Sequence, residues 1–164
     1  MRIAIIGLGA MGSVYAGLLA SAGNEVLAVH RDARVVTLVR KHGLRLQGFS
    51  GGRALVIEAL NEVPRKEVDL VILAVKAAQA DIAAKEARPL LNGGAVVLGI
   101  QNGLGSADAI ATVLGDDRLI IGIAAGFGAS LIGPGHVHNH GMDLVRIGPY
   151  SRINMKIVEN IAVV

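Results

Sequence analysis

Three glycines at fixed offsets, Gly7-x-Gly9-x-x-Gly12, are the residues of this chain best suited to chemistry on a phosphate. They follow the apolar run Ile3-Ala4-Ile5-Ile6 and precede an Ala/Leu-rich helical stretch. The chain carries 22 glycines among 164 residues. In such a chain the spacing arises by chance about 0.4 times, so the bare pattern is weak and its context carries the argument. With a strand before it and a helix after it, the three glycines serve three needs in turn, namely a tight turn, room for the backbone to approach a pyrophosphate, and close packing of helix on strand. The helix N-terminus then offers free N–H groups and the positive end of its dipole. The reading predicts a dinucleotide site.

The end of the second strand bears on which dinucleotide. Folds selective for NAD place Asp or Glu there to accept the ribose hydroxyls. Here Val26-Leu27-Ala28-Val29 is followed by His30 and Arg31, which favours a 2'-phosphate and hence NADP. Arg31 as an ordinary surface residue is the alternative. Asp32 becomes the acidic residue if the register slips by two; its other reading is the N-cap of a helix starting at Ala33.

Two further side chains fall at strand ends. Lys76 follows the run Leu70 to Val75, at the carboxyl edge where open α/β sheets bind ligands. A lysine that begins a helix opposes the dipole, which makes sense opposite an anionic or carbonyl-bearing ligand, or as a cheaply tolerated surface charge. Gln101-Asn102-Gly103-Leu104-Gly105 ends the next strand in the same way, and Asn102 is either a site residue or an Asn-Gly turn residue. His136, His138 and His140 alternate along one strand face. Same-face neighbours stand ~6 to 7 Å apart. No carboxylate partners them, so a solvated hairpin is expected and no metal site. No Ser/His/Asp set and no paired carboxylates can be defended from spacing.

Composition narrows the classes. An apolar share of 52% with 18% charged residues describes a buried α/β domain, not a disordered chain. There are no cysteines, which rules out disulfides and thiolate metal sites and is compatible with a reducing, cytoplasmic setting. The net charge of +3 comes from a basic stretch, with Arg31, Arg34, Arg40, Lys41 and Arg45 against Asp32. Two Phe and two Tyr are too few for base stacking, so nucleic acid is not the expected partner and an acidic small molecule is. Arg40, Lys41 and Arg45 read as a solvated helix face. The uncharged runs 3 to 24 and Leu119 to Met142 are broken by glycines, and the second also by Pro134 and histidines; neither reads as a signal peptide or membrane span.

These residues need a scaffold, and the pattern supplies one. Ile3 to Ile6, Val26 to Val29, Leu70 to Val75, Ala95 to Ile100 and Leu119 to Ala124 read as buried parallel strands. Met11 to Ala22, Ala33 to His42, Ala78 to Leu91 and Ser106 to Leu114 read as the helices between them, which predicts a Rossmann-type doubly wound, mostly parallel sheet. Residues 44 to 60 read as an inserted hairpin, with strands at Leu44 to Leu46 and Ala54 to Ile57. Ala129 to Ile132, Val137 and Asp143 to Ile147 predict short antiparallel strands at a sheet edge. A last helix is expected from Ser151 as N-cap, with Ile153, Ile157 and Ile161 on one face.

Together Gly7-Leu8-Gly9-Ala10-Met11-Gly12-Ser13, Arg31, Val75-Lys76-Ala77, Gln101-Asn102-Gly103-Leu104-Gly105 and Ile132-Gly133-Pro134-Gly135 resemble the 2-dehydropantoate 2-reductase (ketopantoate reductase) family over the whole chain. The resemblance implies that Gly7, Leu8, Gly9, Ala10, Met11 and Gly12 hold the pyrophosphate, and that Arg31 holds the 2'-phosphate of NADP. It implies that Lys76 and Asn102 hold the nicotinamide half and the keto acid, and that Gly128 adds a backbone contact to the cofactor. The implied reaction is hydride transfer from NADPH to the C2 ketone of 2-dehydropantoate, giving pantoate on the route to pantothenate and coenzyme A.

Family members continue into a helical second domain that supplies the proton donor. The expectation is therefore an NADP-binding domain over residues 1 to 150, and over 151 to 164 the start of the helix leading to an absent domain. The chain would then bind the cofactor without turning over the ketone, and self-associate or form a homodimer through the uncovered face of that helix. Two alternatives stay open: another NADP-linked hydroxyacid dehydrogenase, and a freestanding NADP-binding sensor or subunit.

Overall fold

A computed structural model describes every residue except Phe127, Met142 and Asp143; the start of the expected strand at Asp143 thus lies outside the described residues. The chain begins with β1 (Arg2–Ile6), α1 (Ala10–Ser21), β2 (Glu25–Val29) and α2 (Ala33–His42). Then come β3 (Leu44–Gly48), β4 (Arg53–Leu55), β5 (Glu58–Leu60) and β6 (Leu70–Leu73). After α3 (Ala80–Ala87) follow β7 (Val96–Gly99), α4 (Ser106–Leu114), β8 (Leu119–Ala125), β9 (Gly128–Gly133), β10 (His136–Gly141), β11 (Leu144–Pro149) and α5 (Met155–Ala162).

The main sheet runs β11-β8-β7-β6-β1-β2-β5, with six parallel strands and β11 antiparallel against β8. Its order reverses between β1 and β6, because the chain winds outward through β2 to β5 and then crosses back. Alternate residues of β1 serve opposite faces. Ile3 and Ile5 join the core under α1, α2 and α5, while Ala4 and Ile6 join the core under α3 and α4. Ala80, Ala83, Ala84 and Ala87 on α3 are all buried, and their small side chains let that helix lie close to the sheet.

The expected hairpin is present at its first turn, since β3 and β4 pair antiparallel. Its second half differs. Residues 54 to 57 do not form one strand: β4 stops at Leu55, and β5 leaves the hairpin to pair parallel with β2 at the edge of the main sheet. The later strands differ too. Only β11 forms the antiparallel edge, whereas β9 and β10 join β3 and β4 in a second sheet of order β4-β3-β10-β9. α1 packs against both sheets. It is accordingly apolar all round, and Gly17 meets the small sheet so closely that a Cβ there would lie 2.3 Å from Leu46 Cδ1.

The segment expected as one helix from Ala78 to Leu91 is α3 flanked by single 3₁₀ turns at Ala77–Gln79 and Arg88–Leu90. Asn154, not Ser151, caps the last helix, its side chain accepting from Lys156 N at 2.9 Å. That register changes the face. Ile153, Val158 and Ile161 are buried in the core, and Ile157 is exposed, so the predicted uncovered stripe of Ile153, Ile157 and Ile161 is mostly covered by the chain's own sheet. Among the described residues no helix is long and apolar enough to cross a membrane.

Candidate functional site

The glycine turn sits between β1 and α1 with the backbone geometry that glycine alone adopts freely. Gly7 has φ of 103°, in the left-handed region, and its N–H donates to Val29 O at 2.9 Å, tying the turn to β2. Gly12 is needed for close approach: a Cβ there would stand 1.9 Å from Gly7 O. Gly9 is different, because a Cβ at Gly9 would meet nothing within 4 Å. The space in front of Gly9 is open, and Gly9 caps α1 with no side-chain hydrogen bond and no acidic residue in the first turn. The first N–H groups of α1 thus keep their capacity for an outside acceptor.

A cleft of about 590 Å³ opens from this turn, at the carboxyl ends of β1, β2 and β6 where the sheet order reverses. Gly7, Gly9, His30, Arg31 and Lys76 are on its wall. Arg31 is exposed, and among the described residues neither its guanidinium nor the Lys76 ammonium has a hydrogen-bond or ion-pair partner. Two unpaired cations thus face a cleft that already carries the positive end of a helix. A diphosphate-type anion suits the part of the cleft formed by Gly9, Arg31 and Lys76, while Glu62 and Glu86 are also on the wall.

Two other cations of the basic stretch, Arg34 and Arg40, are engaged away from the cleft, while Lys41 and Arg45 lie off its wall. Arg34 pairs with Asp32 at 2.9 Å, and Arg40 Nε donates to Ala59 O at 2.7 Å, so Arg40 anchors α2 to β5 instead of only facing water. Asp32 is the N-cap of α2, accepting from Arg34 N at 2.9 Å. The Arg34 side chain and its backbone N–H hold the Asp32 carboxyl at about 2. A carboxylate so engaged is turned to the helix, and β2 ends at Val29, which leaves His30 at the strand end.

His30 is half-buried, and its Nδ1 accepts from Leu8 N at 3.4 Å. The accepted bond fixes the tautomer, with the proton on Nε2. Burial, the dominant influence, lowers the pKa of His30; Asp32 partly offsets this and Arg31 adds to it.

Sequence reasoning missed part of the wall. Asn61 and Glu62 reach the cleft from the loop after β5, Gln79 from the 3₁₀ turn after β6, and Ile82 and Glu86 from α3. Recognising β5 as a parallel edge strand beside β2 would have placed Asn61 at its carboxyl end. Conversely, Asn102 and Gly128 are not on the cleft wall. Asn102 lies on an exposed loop after β7, one strand over from Lys76. Gly128 begins β9 and faces His140, 3.2 Å from where its Cβ would be.

The three histidines lie on the small sheet. His136 Nε2 donates to Gln47 Oε1 at 2.9 Å, His140 and Ser130 share a hydrogen bond of 2.9 Å, and the rings of His138 and His140 stand 4.5 Å apart. Among the described residues no group of His, Asp and Glu is placed to hold a metal ion.

Comparison with known proteins gives a consistent set of likenesses. The family model described as "Ketopantoate reductase PanE/ApbA" matches residues 3–152. A 2-dehydropantoate 2-reductase of Pyrococcus abyssi is 38% identical over 162 residues, covering 99% of this chain and 52% of that protein. One from Lactococcus lactis is 36% identical, covering 82% of this chain and 44% of that protein. Among solved structures, a D-mandelate dehydrogenase with NADH and anilino(oxo)acetate superposes with a TM-score of 0.91 at 31% identity, covering 99% of this chain and 53% of that one. A 2-dehydropantoate 2-reductase from Geobacter metallireducens gives 0.89 at 30% identity, covering 99% and 54%. The chain spans about half the length of the curated relatives it matches.

Proposed function

Because the chain belongs to the ketopantoate reductase family, we propose that it is the dinucleotide-binding part of a reductase that converts 2-dehydropantoate to pantoate with NADPH. The observation that carries the cofactor assignment is the free Arg31 guanidinium at the end of β2, on the same cleft wall as the glycine turn and Lys76. An acid at that strand end would repel a 2'-phosphate; a half-buried histidine and an unpaired arginine favour it.

When bound, the nicotinamide supplies the hydride. The chain does the rest of the positioning. The turn Gly7, Leu8, Gly9, Ala10, Met11 and Gly12 holds the pyrophosphate, with Gly7 and Leu8 shaping it and the free N–H groups at the start of α1 and its dipole meeting the phosphates, and Arg31 holds the 2'-phosphate by a charge-assisted bond. Lys76 and Asn102 orient the keto acid at the reacting end, the ammonium favouring the negative charge that develops on the carbonyl oxygen. Gly128 adds a backbone contact to the cofactor. Pantoate on the route to pantothenate and coenzyme A would place the activity in the cytoplasm.

The TM-score of 0.91 against a D-mandelate dehydrogenase solved with NADH favours a second reading, an NAD-linked dehydrogenase of another 2-hydroxy acid. Both readings are tested, in a protein that joins this chain to a helical second domain of its family, by measuring oxidation of NADPH and NADH with 2-dehydropantoate and with phenylglyoxylate. The first reading expects NADPH with 2-dehydropantoate to be the fastest pair. A faster reaction of NADH with phenylglyoxylate would favour the second.

A further inference from the structure

We propose that Gln101 is the positioning residue that locks the Lys76 segment to the Asn102 loop, so that the two act as one unit on the nicotinamide half of the dinucleotide. The inference rests on the cofactor reading above and goes beyond it, because Gln101 is not itself on the cleft wall.

The geometry is specific. The side-chain amide of Gln101, on the segment leaving β7, donates through Nε2 to Leu73 O and, at 3.2 Å, to Val75 O. Those two carbonyls bracket the chain as it leaves β6 for Lys76. One residue on, the carbonyl of Lys76 accepts from Gln79 N at 2.8 Å. The backbone of Lys76 is therefore pinned on both sides, by Gln101 before it and by a 3₁₀ turn after it. Because Asn102 directly follows Gln101, the same side chain sets the distance between the two candidate nicotinamide-side residues.

Only one orientation of the amide serves. Two carbonyls on one nitrogen require it to be the NH₂, which turns Oε1 inward, where it is buried with no hydrogen-bond partner. A buried acceptor left unpaired works against stability, so the donated bonds and the orphan oxygen offset each other. The residue's contribution then lies in geometry more than in holding the fold. The glycine turn packs on the same segment, a Cβ at Gly7 lying 3.0 Å from Val75 Cγ1, but it has ties of its own: Gly7 is held by Val29 O, and Ala74 N donates to Ile6 O at 2.9 Å.

Gln101→Met, which removes donors and orphan oxygen together, separates the roles. Titrated with NADPH and with 2'-phospho-ADP-ribose, which lacks the nicotinamide, wild type should bind both. The variant should lose about 5- to 10-fold in NADPH affinity, the scale of one neutral hydrogen bond, and keep its affinity for the fragment within about twofold. In a Lys76→Ala/Asn102→Ala background the same substitution should change NADPH affinity no further, whereas a merely structural role would add its loss again. Equal losses for both ligands, no loss for either, or additivity in that background would overturn the proposal. Should Gln101→Met fail to fold, Gln101→Asn, whose shorter amide cannot span both carbonyls, carries the same expectations. Failure of wild type to bind either ligand would instead overturn the cofactor reading.

Discussion

The backbone N–H of Leu8 donates to Nδ1 of His30 at 3.4 Å, joining the glycine turn to the residue that ends β2. The glycine turn and the end of β2 are thus one connected piece. The bond exists only while Nδ1 is unprotonated, and burial already disfavours the charged ring.

A pH dependence follows. The ordinary value for histidine is 6.5, and His30 lies below it in the fold, so the unfolded chain binds more protons in the window between the two. The stabilising contribution is therefore complete above about pH 6.5 and is lost as pH falls through that window. Thermal midpoints measured from pH 8 to pH 5 should drop less for His30→Asn than for wild type. Parallel curves for the two proteins would contradict this.

Gly9 and Gly12 should separate binding from folding. Gly12→Ala forces a Cβ against Gly7 O and should cost about 1–3 kcal/mol by thermal unfolding, as overpacking does. Gly9→Ala meets open space, so it should leave the melting temperature within about 2 °C for a domain of this size. It should nonetheless weaken NADPH binding, since the added methyl occupies the approach of the phosphates.

Asp32 is expected to act on the helix and not on the cofactor. Asp32→Ala removes the N-cap of α2 and should lower stability by about 0.5–2 kcal/mol by chemical denaturation. The ratio of NADPH to NADH affinity should stay unchanged. A selective loss of NADH affinity would mean that this carboxylate reaches the ribose.

In a protein that joins this chain to a helical second domain of its family, Lys76→Ala and Asn102→Ala should lower kcat/KM for the keto acid far more than they weaken binding of the phosphates. Steady-state kinetics beside a binding titration checks the split. Wild-type kinetics from either variant would return that residue to an ordinary strand-end role.

Much of this arrangement is legible in the residues. α2 runs from Ala33 to His42 as its punctuation requires, capped by Asp32 and stopped at Gly43, whose φ is 73°. The order of β1, α1 and β2, and with it the place of Arg31, follows from local pattern alone. What the pattern does not carry is pairing at a distance. Glu58–Leu60 is three residues long with only Ala59 buried, too short to show a period, so its membership of the main sheet depends on β2 and on Arg40. The small sheet exists because β3 meets β10 across nearly ninety residues, as His136 and Gln47 do. Gln101 is invisible for the same reason: its partners are carbonyls on another strand.

The central claim is that Arg31 and the glycine turn form an NADP-selective site. Calorimetric titration of NADPH and NADH against wild type and Arg31→Ala tests it most directly. A charge-assisted hydrogen bond contributes about 1.5–3 kcal/mol, so Arg31→Ala should weaken NADPH by roughly 10- to 150-fold and leave NADH nearly unchanged. Equal losses for both dinucleotides, or a wild type that binds NADH more tightly than NADPH, would contradict it.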